Sequence, residues 1–123
     1  MIGTGGSIIL TGSTTANMGT QAFSVCSVTN AALRNVANSW ALDLKGTGIR
    51  VNVLSPGPIS TPGLYLALAG TGRRDAVIDS MVKQLPLGRM GLSEEVAAAA
   101  LFLRQLRAAS LRGSDMFVDV GFA

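Results

Sequence analysis

One thiol, Cys26, and the absence of any histidine set the outer limits of the chemistry open to this chain of 123 residues. Without an imidazole there is no Ser-His-Asp or Cys-His relay and no histidine ligand for a metal. A single cysteine excludes an internal disulfide and a thiolate zinc site, so no metal centre is expected. A lone thiol is itself a candidate for redox or nucleophilic work, but free cysteines mostly behave as small hydrophobes. Cys26 reads first as a small, half-buried helical residue. Gly3-Thr4-Gly5-Gly6 has the composition of a phosphate loop, yet it precedes a strand instead of joining a strand to a helix, and reads as a flexible lead-in.

The elements that must position such groups follow from periodicity and punctuation. Ser7-Ile8-Ile9-Leu10-Thr11 is a β-branched apolar run closed by Gly12, read as a strand buried on both faces. Ser13 to Gln21, rich in Ser, Thr, Asn and Gly, is a loop. From about Ser24 to Lys45, Leu33, Val36, Ala37, Trp40, Ala41 and Leu44 recur at helical spacing as a packing stripe, with Gly46 placed for a left-handed C-terminus. Ile49 to Leu54 is a second strand, stopped by Ser55-Pro56-Gly57-Pro58. Residues 61–87 look like a mobile excursion with helical patches at Gly63–Ala69 and Arg74–Leu85. Ser93 is placed as the N-cap of a further helix, with Glu94 and Glu95 in its first turn and Arg104 and Arg107 near its end. Asp115 to Val118 is a last strand. Strands separated by crossovers of this length imply three parallel strands with covering helices, the α/β class.

Composition bounds the remaining choices. With 48% hydrophobic and 14% charged residues the chain reads as one globular domain, 1–123, that buries roughly 65% of the surface of its unfolded form. The net charge is only +3, and the basic residues are scattered from Arg34 to Arg112, so nucleic acid is not an expected partner. The longest apolar run, Val96 to Leu103, is too short to span a bilayer, and neither a signal peptide nor a membrane helix is expected. Together with the single cysteine, this favours a cytoplasmic setting. A mean hydropathy of +0.42 without a membrane segment implies more apolar surface than one small domain covers by itself.

Taken in order, four segments resemble the C-terminal half of a short-chain dehydrogenase/reductase. They are Gly6-Ser7-Ile8-Ile9-Leu10 with Ser13 beyond it, the long helix with Ser27 and Ala31-Ala32, Ile49-Arg50-Val51-Asn52-Val53-Leu54-Ser55-Pro56-Gly57-Pro58-Ile59-Ser60-Thr61, and the closing pair Pro86-Leu87-Gly88-Arg89-Met90-Gly91-Leu92-Ser93-Glu94-Glu95-Val96-Ala97 and Gly113-Ser114-Asp115-Met116-Phe117-Val118-Asp119-Val120-Gly121. The resemblance covers essentially the whole chain and implies a partial Rossmann-like fold and NAD(P)-dependent oxidoreduction. In such proteins a serine orients the substrate oxygen, a tyrosine transfers its proton, and a lysine one helical turn later lowers the tyrosine pKa and holds the nicotinamide ribose. Ser13 falls at the serine position. Pro56-Gly57 resembles the turn beneath the nicotinamide, Ile59 the position whose backbone meets the carboxamide, and Thr61 the assisting hydroxyl. These turn and loop residues also have purely local uses for their chemistry.

Two departures decide the expectation for activity. Thirteen residues after Ser13 the tyrosine position holds Cys26, and four further the lysine position holds Asn30. A cysteine is far shorter than a tyrosine, and a neutral amide supplies no charge to stabilise an anion beside it. The glycine-rich pyrophosphate turn belongs to the half of the fold that precedes the first strand here. The expectation is therefore a truncated, degenerate family member, catalytically silent, with NAD(P) its cofactor by resemblance only. The alternative is a noncatalytic module that self-associates as a homo-oligomer or pairs with a full-length relative through surfaces that lack their usual cover. A thiol-based binding or redox role for Cys26 is a third possibility.

Overall fold

The computed structural model describes residues 5–14, 24–69, 72–105 and 110–121. Ile49 to Leu54 is the most strongly β-favouring run in the sequence, and it lies at the middle of the sheet. Strand β2 (Ile49–Pro56) is flanked by β1 (Gly6–Thr11) and β5 (Asp115–Val118), all parallel, in the order β1-β2-β5. Gly6 lies opposite Ile49 and Thr11 opposite Leu54, while Val53 lies opposite Asp115 and Pro56 opposite Val118. The intervening elements are helix α1 (Ser24–Asp43), strand β3 (Ile59–Ser60), helices α2 (Pro62–Ala69) and α3 (Arg74–Gln84), strand β4 (Gly91–Leu92) and helix α4 (Ser93–Arg104).

Side chains alternate across a strand, so β2 serves two helices at once. Val51 and Val53 join Ala37 of α1 in the core, with Ile8, Leu10 and Leu44 packed against them. Arg50, on the other face, reaches the end of α4, where its Nη1 donates to the Leu103 carbonyl at 2.7 Å. Ser7, the cross-strand neighbour of Arg50, donates from Oγ to the same carbonyl at 3.1 Å. Asn52 ties the approach to β5 in place, donating to Leu111 O (2.9 Å) and accepting from Ser114 N (3.0 Å). This is the α/β, Rossmann-like arrangement of three parallel strands covered by helices.

Several expectations need correction. β1 is half-buried along its length because it is the sheet's edge, with only β2 beside it among the described residues. Ser93 is the first residue of α4 and not its cap: Leu92 occupies the N-cap position, held by its pairing with Ser60 in β4. The α1 stripe is only partly internal, since Ala37 is buried but Trp40 remains 42% exposed. Cys26 is exposed rather than half-buried. The helical patches expected within 61–87 are present as α2 and α3, each within one residue of its expected bounds. Arg104 is exposed at the end of α4, and Arg107 and Gly3-Thr4 lie outside the described residues. No described helix is long and apolar enough to cross a membrane.

Candidate active site

Where β2 ends, backbone chemistry dictates the next turn. Pro56 carries no N–H, and the Gly57 N–H turns toward β5, donating to the Val118 carbonyl at 2.9 Å. The approach is so close that a Cβ on Gly57 would lie 2.7 Å from both Cα and Cβ of Asp119. Only glycine fits there. The Pro58 carbonyl then accepts from Gly91 N at 2.9 Å, which starts the short parallel pairing of Ile59 with Gly91 and Ser60 with Leu92. A Cβ on Gly91 would lie 2.5 Å from Ile59 Cδ1, so a larger residue there would require the Ile59 side chain to move.

Thr61 ends this bridge and begins α2. Its Oγ1 accepts from Leu64 N at 3.2 Å and its carbonyl from Tyr65 N at 3.2 Å, while the Tyr65 hydroxyl and Ser60 Oγ lie 2.8 Å apart. The result is a cleft of about 450 Å³ between the turn and three helices. Pro56, Gly57, Pro58, Ile59 and Thr61 line one side, Leu64 of α2 and Met81 of α3 another, and Ser93 and Val96 the start of α4. The four residues assigned to the nicotinamide end, Pro56, Gly57, Ile59 and Thr61, thus share one cleft.

Ser13, Cys26 and Asn30, expected at the serine, tyrosine and lysine positions, lie apart from that lining. Ser13 follows Gly12, whose N–H donates to Leu54 O at 2.8 Å and extends the ladder beyond β1. Because β1 and β2 are parallel, Ser13 stands at the same end of the sheet as the Pro56-Gly57 turn, the end where ligands bind in open α/β sheets. Cys26 and Asn30 stand one helical turn apart on α1, joined by Asn30 Nδ2 donating to the Cys26 carbonyl at 2.8 Å. The Asn30 amide therefore bonds its own helix, where a lysine would extend an ammonium.

A polar cluster beside these positions escaped the sequence reading. Arg34, one turn beyond Asn30, donates from Nε (3.0 Å) and Nη2 (2.8 Å) to Asp115 Oδ2, and Ser55 Oγ donates to Asp115 Oδ1 at 2.6 Å. Ser55 is fully buried and Arg34 also lies over the Phe117 ring, 6.0 Å from its centroid. The signal available in the sequence was Asp115 opening an otherwise apolar strand, since a carboxylate so placed needs a cation.

In the first turn of α4, Glu95 accepts from Arg89 Nη1 at 2.7 Å and from Leu92 N at 2.9 Å. The Arg89 hydrogen bond first, then the Leu92 N–H, hold the Glu95 carboxyl below its ordinary value, and Glu95 in turn raises Arg89. A depressed carboxylate contributes its stability above the unfolded pKa and loses it as pH falls through the folded one. The start of α4 is therefore expected to loosen on acidification from about pH 4.5 downward. Amide exchange at Glu94 to Ala97 followed against pH checks this, and Glu95→Gln should remove the dependence; an unchanged profile in that variant contradicts it.

The comparisons with known proteins agree with this architecture. A family described as Enoyl-(Acyl carrier protein) reductase matches residues 1–123. The chain is 44% identical to the oxidoreductase asL5 of Sarocladium schorii over 119 residues, covering 97% of this chain and 46% of that protein. It is 30% identical to 2-(S)-hydroxypropyl-CoM dehydrogenase 3 of Xanthobacter autotrophicus, covering 94% of this chain and 46% of that one. The crystal structure of L-sorbose reductase from Gluconobacter frateurii, complexed with NADPH and L-sorbose, superposes with a TM-score of 0.89 at 31% identity, covering 96% of this chain and 47% of that one. The chain thus spans about half the length of the relatives it matches. With the family match running the full length and the fold in agreement, the chain belongs to the short-chain dehydrogenase/reductase family.

Proposed function

We propose that this chain carries the nicotinamide end of an NAD(P) site from an oxidoreductase fold but lacks the pair that moves the proton, and is catalytically silent. The observation behind this reading is the state of α1: at the tyrosine and lysine positions stand an exposed, short Cys26 and an Asn30 whose amide bonds the Cys26 carbonyl. The next cation on the helix gives no substitute, because Arg34 donates from both Nε and Nη2 to Asp115 Oδ2. Loss of one positioned acid–base group lowers a rate by roughly 10²- to 10⁴-fold, and here the phenol and its cation are both missing.

The cofactor fits only in part. NAD(P), when bound, supplies the hydride. Pro56, Gly57, Ile59 and Thr61 would hold its nicotinamide, and Ser13 would orient a substrate oxygen. Among the described residues the cleft lining holds no charged side chain, and the sequence contains no G-x-G-x-x-G to cradle a diphosphate. The test is reduction of ketones with NADH or NADPH by the unaltered chain, where no turnover is expected. Cofactor consumption tied to this chain overturns the reading.

A second reading, self-association, rests on the outer face of α1. Val25 (74% exposed), Val28 (67%), Val36 (36%) and Trp40 (42%) lie along one exposed side of that helix, beside the side from which Ala37 packs on the sheet. A stripe of this kind with no charged residue from Val25 to Val36 along it favours a like partner. Sedimentation at micromolar concentration is expected to give a dimer or larger species, and Val28→Glu with Val36→Glu a shift toward monomer. A folded monomer of the unaltered chain contradicts this.

A further inference from the structure

A second cleft, of about 470 Å³, opens at the opposite end of the sheet from the Pro56-Gly57 turn. One wall is a single side of α1, where Asn38, Ala41 and Leu42 stack at helical spacing and Lys45 continues the row into the turn beyond the helix. The other wall is Arg112 and Gly113, ahead of β5. Backbone contacts fix that wall: Gly113 N donates to Val51 O at 2.7 Å, and a Cβ on Gly113 would lie 2.6 Å from Asn38 Oδ1. Arg112 Nη1 donates to the carbonyl of Ile49, the first residue of β2, whereas the nicotinamide cleft begins at Pro56, the last. The length of the strand, roughly 20–25 Å, separates the two clefts.

Two cations stand here beside apolar surface. Lys45 follows α1, where a cation suits the negative pole, but the carbonyls at that end are already served. Trp40 O accepts from Leu44 N, Leu42 O from Lys45 N, and Leu44 O from both the N–H and Oγ1 of Thr47. The Lys45 ammonium is therefore not needed as a cap. Arg112 uses one N–H on Ile49 O at 3.2 Å, and a guanidinium carries five donors in a planar fork that matches a carboxylate. Asp43, the carboxylate nearest in the chain, is not in the lining. Ala41, the 75% exposed Leu42 and the aliphatic stems of the two cations give an apolar strip beside the charges.

We infer that this cleft binds a small organic carboxylate with an aliphatic chain, the head held by Lys45 and Arg112 and the chain laid along Ala41 and Leu42. An exposed cation alone raises affinity only a fewfold, and an open apolar wall alone gives little, so both parts of the ligand are required. The site is independent of the nicotinamide cleft and of the silence of α1.

The experiment is a titration of the full chain with octanoate, octanol and acetate, each alone, followed by methyl NMR of Ala41 and Leu42, with Ile59 and Leu64 reporting on the nicotinamide cleft. Octanoate is expected to shift Ala41 and Leu42 saturably and more tightly than either octanol or acetate, and added sodium chloride to weaken it. Lys45→Gln and Arg112→Gln should each weaken octanoate binding roughly two- to fivefold, Lys45→Arg should retain it, and Lys45→Glu should weaken it further than Lys45→Gln. Arg112→Gln also removes the bond to Ile49 O, so the Lys45 series, whose side chain enters no hydrogen bond among the described residues, decides the matter if that variant fails to fold. Octanol binding as tightly as octanoate, octanoate shifts confined to Ile59 and Leu64, no saturable shift at Ala41 and Leu42, or an affinity unmoved by Lys45→Gln and Lys45→Glu would each overturn the assignment.

Discussion

Cys26→Tyr combined with Asn30→Lys, mixed with a separately expressed first half of an active relative, is expected to reduce a ketone with NADPH at least roughly 10²- to 10⁴-fold faster than the unaltered chain mixed with the same half. The double change rebuilds a phenol and a cation one turn apart on α1, on the side of the helix from which Ala37 packs against β2. The same double variant alone is expected to show no activity. Correct placement of reactants contributes up to roughly 7–11 kcal/mol toward lowering a barrier, and on the proposed reading this chain would hold only one end of a dinucleotide. Asn30→Lys also sets a second cation one turn from Arg34, a repulsion of about 0.2–0.5 kcal/mol between neighbours on a helix, moderated by Asp115 on Arg34. Stopped-flow oxidation of NADPH distinguishes the three mixtures. Equal rates with and without the two substitutions would mean that Cys26 and Asn30 are not what holds the site silent.

Arg50→Met is expected to lower stability by about 2–4 kcal/mol, read as the shift of a urea unfolding midpoint. Arg50 is only 7% exposed, and its guanidinium serves the last turn of α4, with Nη1 on Leu103 O at 2.7 Å and Nη2 on Arg104 O and Gln105 O at 3.2 and 3.3 Å. The last carbonyls of a helix have no partner within it, and a cation at that end also meets the negative pole of the helix dipole. Methionine fills similar space without donors, so the loss reports the hydrogen bonds and charge rather than a cavity. Arg50→Lys should fall between, because an ammonium cannot present the guanidinium's fork to several carbonyls at once. A midpoint unchanged by Arg50→Met would show that Leu103 O is adequately served by Ser7 alone.

Most of the fold was legible because it was written in local signals. Ile49 to Leu54 is a strand by β-branched content and by the Pro-Gly stop after it, and α1 is a helix by the recurrence of Leu33, Ala37 and Leu44, with Gly46 left-handed beyond it at φ 84°. The β3–β4 bridge was not legible: two residues on each side carry no periodicity, and what creates the pairing is the Pro58 carbonyl meeting Gly91 across the chain. The grouping of Pro56, Gly57, Ile59 and Thr61 followed from their adjacency, whereas Leu64, Met81, Ser93 and Val96 joined the cleft through tertiary packing that no spacing announces. Burial was overestimated at two positions of α1. Periodicity reports that Trp40 lies on an apolar stripe but not how far that stripe is covered, and Cys26 took its expected burial from its residue type although it stands exposed in the first turn of α1.

The most direct measurement of the central claim is deuterium transfer from labelled NADPH to a ketone by the unaltered chain in the presence of the added first half. On the proposed reading, supplying that half provides the cofactor contacts and leaves Cys26 and Asn30, at the expected tyrosine and lysine positions, as the deficit. The expected result is no deuterated alcohol above the level given by the first half alone, even when the repaired chain under the same conditions produces it. Deuterated alcohol formed in proportion to the amount of unaltered chain would contradict the account.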